Sequence, residues 1–228
     1  MRLYWSDIFY LLTLVLFVVS LIASGVVKSR FKRYAKVRSS CGMTGAMAAE
    51  RILRANGIYD VSILPSGRTL SDNYDPTRKT LNLSDGVYDT ASISAVAVAA
   101  HECGHAIQHA QAYPLLMLRK SLVPVCSIGS MGSYAAILLG LLLNMSGLIT
   151  LGAFLFAGIV LFNLVTLPVE VDASRRALGE VQRLNLMTDE ELKGGRKVLF
   201  AAGMTYFIAL VSSIVQFLRL LSLANRRR

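Results

Sequence analysis

Cysteine is scarce and scattered in this chain. Cys41, Cys103 and Cys126 are the whole set, and no two of them form a C-x-x-C pair. An odd, dispersed set argues against a disulfide framework and a cysteine-closed structural zinc site, and it fits a reducing compartment. Acidic residues are few as well, 14 against 24 Lys and Arg in 228 positions, for a net charge of +10. Only 17% of the residues are charged, below the roughly one quarter of an ordinary soluble domain. Histidine is scarcer still: His101, His105 and His109 are all the chain has, and they fall within nine residues.

What fills the space is apolar. Hydrophobic residues make up 54% of the chain and mean hydropathy is +0.52, more than a soluble core can absorb. Ile8 to Val27 is a run of 20 residues without a charge. At about 1.5 Å per residue it spans a hydrocarbon core of about 30 Å. The run is too long for a signal-peptide h-region and lacks a clear basic n-region, so it reads as a retained anchor. Three more apolar runs follow, 122–143, 148–167 and 198–218. The turn residues Asn144-Met145-Ser146-Gly147 make the first two a membrane hairpin, with Pro124 and Pro168 expected at helix boundaries. The last run carries Thr205, Ser212, Ser213 and Gln216, so a span and a helix packed on protein both remain open.

The expected fold is a mainly α membrane protein with about four transmembrane helices and a small α+β, zincin-like cytoplasmic part. Its segments are an anchor (1–28), the cytoplasmic part (29–120), the hairpin (121–168), a second cytoplasmic segment (169–197) and a fourth apolar helix with a basic tail (198–228). Charge sets this orientation. Lys28, Arg30, Lys32, Arg33, Lys36 and Arg38 crowd the exit of the first helix, whereas a four-span chain leaves only Arg2, Arg219, Arg226, Arg227 and Arg228 on the far side. The tail Arg226-Arg227-Arg228 argues the other way and leaves the side of the C-terminus open. Interfacial Lys and Arg facing anionic lipid account for the positive charge, so no nucleic-acid partner is expected.

The chemistry lies in His101-Glu102-Cys103-Gly104-His105, an H-E-x-x-H motif. Small apolar residues without a helix breaker precede it, so it sits on a helix, where residues four apart share a face. His101 and His105 can then hold one Zn²⁺ while Glu102 acts as general base on a water that attacks a peptide carbonyl. His109 shares that face but stands about 12 Å along the axis from His101, too far to complete the site. Cys103 points off the face and is expected to be a small buried residue. The third ligand should be a carboxylate. Asp189, Glu190 and Glu191 read as the first turn of a helix capped by Thr188. Glu170 and Asp172 follow the hairpin directly, and of these Glu170 is the expected ligand, with Asp172 as partner to a histidine or as the alternative ligand. Tyr74, Tyr88, Tyr206, Arg175 and Arg176 are conceivable oxyanion stabilisers, and none is assigned.

Between anchor and motif, residues 45–57 read as an amphipathic helix stopped by Gly57. Residues 61–64 and 79–83 alternate like strands, and 72–77 reads as a turn. Lys79 to Leu83 could serve as an edge strand that binds an extended peptide.

Four stretches carry a resemblance: 70–76 (Leu-Ser-Asp-Asn-Tyr-Asp-Pro), 81–84 with Val87-Tyr88, 98–109 around the motif, and 167–177 (Leu-Pro-Val-Glu-Val-Asp-Ala-Ser-Arg-Arg-Ala). Over about residues 1–222 the chain resembles the YugP-like neutral zinc metallopeptidases of bacterial membranes. It is distantly similar to the HtpX-like and prenyl-protein membrane proteases, whose third ligand is a glutamate in an E-x-x-A-D pattern. That resemblance implies Glu170 as ligand and Ala173 in register, with Ser174 standing where the pattern has aspartate. Asn73 stands where histidine is usual. The implied activity is zinc-dependent, gluzincin-like endopeptidase cleavage of a protein or peptide substrate, in or near the bilayer. Two alternatives remain: a site-2-type intramembrane protease, suggested by Asn163, Pro168 and Asp172, and a non-enzymatic scaffold held by zinc.

Overall fold

The structure, a computed structural model, describes residues 5–67 and 71–225. Arg2, Leu70 and the basic tail Arg226-Arg227-Arg228 lie outside them. The element order is α1 (Trp5–Ala35), α2 (Gly45–Ala55), β1 (Ser62–Pro65), β2 (Asn73–Asp75), β3 (Thr80–Leu83), α3 (Asp85–Tyr88), α4 (Ile93–Ala110), α5 (Pro114–Leu142), α6 (Ser146–Arg183) and α7 (Asp189–Asn225). The chain is mainly helical, with one small sheet among the described residues. Among those residues four helices, α1, α5, α6 and α7, are long and apolar enough to cross a membrane. The motif helix α4 is not among them.

The chain divides into two compact units. The first comprises Met1–Ala23, Met117–Pro168 and Thr205–Arg228. Inside it α5 and α6 pack through small residues: a Cβ on Gly140 would stand 2.9 Å from the Ile149 nitrogen, and one on Gly152 would stand 3.0 Å from the Ser133 carbonyl oxygen. The Ser133 hydroxyl donates to the Gly152 carbonyl at 2.7 Å. Close backbone approach of this kind replaces the hydrophobic effect as the adhesive between helices in lipid.

Both prolines expected at helix boundaries lie inside helices, Pro124 in α5 and Pro168 in α6. A proline forfeits one helical hydrogen bond, but breaking the helix in hydrocarbon would strand several peptide groups, so the helix continues. Pro114, at the first position of α5, is where a proline fits without loss. The acidic run 189–191 opens α7 as expected, with Thr188 and Glu191 forming a capping box: the Glu191 N–H donates to Thr188 Oγ1 at 3.3 Å and the Thr188 N–H to Glu191 Oε2 at 2.8 Å.

The second unit, Ser24–Leu116 with Val169–Met204, carries the motif. Thr44 caps α2 and accepts from the Met47 N–H at 3.3 Å, and α2 buries Ala48, Ala49, Ile52 and Leu53. Gly57 follows the helix end with φ +71, a left-handed conformation that suits glycine. The core gathers Ile52, Leu81, Leu83, Val87 and Val96 around α4. Each such side chain contributes about 1.5–3 kcal/mol on burial.

The sheet order is β1-β3-β2. β1 pairs parallel with β3, and β2 pairs antiparallel with it. This corrects two expectations. Strand β3 is central, its backbone engaged on both sides, and cannot take an extended peptide as an edge strand. Residues 73–75 form a strand rather than part of a turn. The turn lies just after them, where Asp75 Oδ1 accepts from the N–H groups of Thr77 and Arg78 at 2.8 and 3.1 Å. Alternation identified the strands, but which strand lies centrally depends on pairing that a sequence pattern does not encode.

Candidate metal centre

Helix α4 starts where Ser92 accepts from the Ala95 N–H at 3.2 Å. Its alanines at 95, 97, 99 and 100 are buried, which lets neighbouring elements close in on nearly every side. His101 and His105 project from one face toward α6. The two rings stand edge to face with centroids 4.9 Å apart. Glu170 of α6, only 2% exposed, meets both: its Oε2 lies 3.2 Å from His101 Nε2 and 3.5 Å from His105 Nε2. One ligand atom from each of the three lies within 4.8 Å of the others.

The other ring nitrogens are held too. His101 Nδ1 is 3.1 Å from Ser174 Oγ, and His105 Nδ1 is 3.0 Å from Gln108 Oε1. Ser174 follows Glu170 by one helical turn, so the two ends of the His101 ring meet two successive turns of α6. Asp172 touches neither histidine. Its Oδ2 accepts from Gln108 Nε2 at 2.8 Å and from Arg176 Nε at 2.5 Å. Arg176 also donates to Gln111 Oε1 at 2.5 Å and lies over the Tyr113 ring. His109 stands apart from the cluster, with Nδ1 2.9 Å from the Tyr74 hydroxyl of β2. Burial foremost, with the charges of Asp60 and Asp75, pushes the Tyr74 phenol up to about 12, so it stays protonated.

The electrostatics of the cluster call for a cation. Burial opposes ionisation of Glu170, but hydrogen bonds and attraction from His101 and His105 hold its carboxyl well below the usual carboxylate range. Burial likewise opposes a charged His105, but Glu170 and Glu102 raise its affinity for a proton. These mutual pulls show that positive charge, on a ring or as a metal ion, is favoured where the three groups meet. Nitrogen and oxygen donors in this number suit zinc with a position left open. Glu102, 7% exposed, is pushed up by burial above the ordinary glutamate value, against the pull of His101 and His105. That direction suits a carboxylate that must take up a proton near neutral pH. Burial also raises the Cys103 thiol, which donates to the Ala49 carbonyl at 3.6 Å and is a packed, inert residue.

A profile of the family described as "Putative neutral zinc metallopeptidase" matches residues 9–225. The chain belongs to this family. Zinc is accordingly its cofactor. A relative in Bacillus subtilis (strain 168), described as "Putative membrane protease YugP", is 44% identical over 212 residues, covering 93% of this chain and 94% of the relative. No solved structure matches the chain. Membership in this family, with the four apolar helices, supports metalloprotease activity and a membrane location.

Three residues of the centre escape a reading of the sequence: Gln108, Ser174 and Gly104. The signal for Gln108 was its place three residues after His105, on the same side of the helix. Ser174 was marked only as a departure from E-x-x-A-D. Gly104 was one of the unspecified positions of H-E-x-x-H, and a Cβ there would stand 2.4 Å from the Ala173 carbonyl oxygen.

Proposed function

We propose that the protein is a membrane-embedded zinc endopeptidase whose metal is held by His101, His105 and Glu170 and whose general base is Glu102. One observation carries this reading: two histidine nitrogens and a buried carboxylate oxygen converge, with one ligand atom from each within 4.8 Å of the others. Zinc, when bound there, polarises the scissile carbonyl and acidifies water. Glu102, adjacent to His101 on α4, accepts the proton of the attacking water and returns it to the leaving amine. Its burial keeps that proton from exchanging freely with solvent.

The active site works on the cytoplasmic side, as the basic residues after the first apolar helix indicate, and its substrates are membrane or membrane-proximal proteins. By length and composition α4 is not among the candidate spans, which favours a motif helix at the membrane face over a site-2-type arrangement. A structural scaffold would close zinc with four ligands, and the cluster among the described residues offers three, with no cysteine. The test is zinc content and casein cleavage by the full chain in detergent, compared with His101→Ala. Zinc bound at one equivalent and lost in the variant, together with cleavage, is expected. An unchanged zinc content in the variant would overturn the ligand assignment.

A further inference from the structure

Gln108 is fully buried, and its amide has no choice of orientation. One end faces the Val169 carbonyl oxygen at 2.9 Å and Asp172 Oδ2 at 2.8 Å. A peptide carbonyl only accepts, so that end must be the NH₂ group, and both of its hydrogens are used. The other end, the amide oxygen, then faces His105 Nδ1 at 3.0 Å. An amide oxygen only accepts as well, so Nδ1 must carry the hydrogen. The remaining nitrogen of that ring, Nε2, faces Glu170.

We infer that Gln108 is a positioning residue that locks His105 into the tautomer with its hydrogen on Nδ1, and that Asp172, clamped by Arg176, acts on the metal centre only through Gln108. The inference rests on the zinc-ligand reading above and deepens it. Metal-bound histidines commonly donate their second nitrogen to a carboxylate or carbonyl, which fixes ring and tautomer. Here a neutral amide intervenes, and the carboxylate is one residue further out. The chain Arg176, Asp172, Gln108, His105 runs from α6 to α4, with the Val169 carbonyl as a second anchor on α6. His101 is served separately by Ser174.

The test is a double-mutant cycle on zinc affinity, by chelator competition with the full chain in detergent. Gln108→Met keeps the volume and removes the amide, and Asp172→Ala removes the outer carboxylate. Each is expected to weaken zinc binding about 10- to 100-fold. The double variant is expected to be no weaker than Gln108→Met, because Asp172 has lost its route to the metal. Losses that simply add would overturn the relay. A second readout does not depend on the metal. With only three histidines in the chain, ¹⁵N-histidine spectra of the zinc-free protein resolve the His105 tautomer. Protonation at Nδ1 is expected to dominate in the wild type and in Asp172→Ala, where the Val169 carbonyl still orients the amide, and to give way to mixed tautomers in Gln108→Met, or in Gln108→Ala where Gln108→Met does not fold. Unchanged tautomer in the Gln108 variants and unchanged affinity in all variants, with zinc bound by the wild type, would overturn the inference alone. A wild type that binds no zinc would overturn the ligand reading beneath it.

Discussion

Gly104 lies against the backbone of Ala173, so close that a Cβ would stand 2.4 Å from the Ala173 carbonyl oxygen and 3.1 Å from its Cα. The obstacle is main chain and cannot swing aside. Gly104→Ala should therefore push α6 away from α4 and carry Glu170 out of reach of both histidines. Overpacking of this kind typically costs about 1–3 kcal/mol. Zinc analysis and thermal melting of the variant check it. A fully zinc-loaded variant with wild-type stability would show that the contact is not what sets the helix spacing.

Glu102→Gln keeps the shape of the side chain and removes its basicity. The variant should hold zinc as the wild type does and lose about 10²–10⁴-fold in turnover. Metal content and peptide cleavage measured on one preparation separate the two. Wild-type-like cleavage by the glutamine variant would end the role of Glu102 as base.

Glu170 and Asp172 are separated by two positions on α6 and by their neighbours. Glu170→Ala should abolish zinc binding, because it removes the carboxylate that faces both rings. Asp172→Ala should leave the metal bound, with about 10- to 100-fold weaker affinity. Equilibrium dialysis against buffered zinc distinguishes loss from weakening. The reverse order would exchange the two roles.

Much of this centre was legible in the sequence, for reasons that differ from residue to residue. His101 and His105 show themselves because helical spacing of four is a local property. Glu170 was singled out because few acidic residues follow the hairpin closely, and the structure brings it to both rings. Gln108 and Ser174 were not, because their importance lies in what the packing of α4 against α6 brings together from 61 to 73 residues apart in sequence. Pro124 and Pro168 misled because their usual effect assumes water is at hand to receive the freed carbonyls. Strand β3 was seen as a strand but given the wrong neighbours, since its central place comes from β1 and β2 closing on it from opposite sides.

Glu191 ties the chain after α1 to the start of α7. Its carboxylate accepts from the Ser40 N–H at 2.7 Å and the Ser40 hydroxyl at 2.6 Å, besides capping α7. Burial opposes its ionisation, but these donors overcome it and lower its pKa below the ordinary 4.5. A carboxyl lowered on folding contributes stability that is present above its unfolded value and lost as pH falls through the folded one. Melting temperature should therefore drop more steeply with acid below about pH 4.5 in the wild type than in Glu191→Gln. Parallel acid profiles for the two would show that the contact does not stabilise the fold.

The sheet beside the motif helix has a property that matters outside the membrane. Its two edges are short, β1 with four residues and β2 with three, and β1 ends on Pro65, which has no N–H to offer. The hairpin at its end carries Arg78 and Lys79, both exposed. Such blunted edges give a second molecule little template for strand-to-strand polymerisation. Aggregation of the detergent-extracted protein is then a matter of its apolar helices, and better mimicry of the bilayer is the remedy.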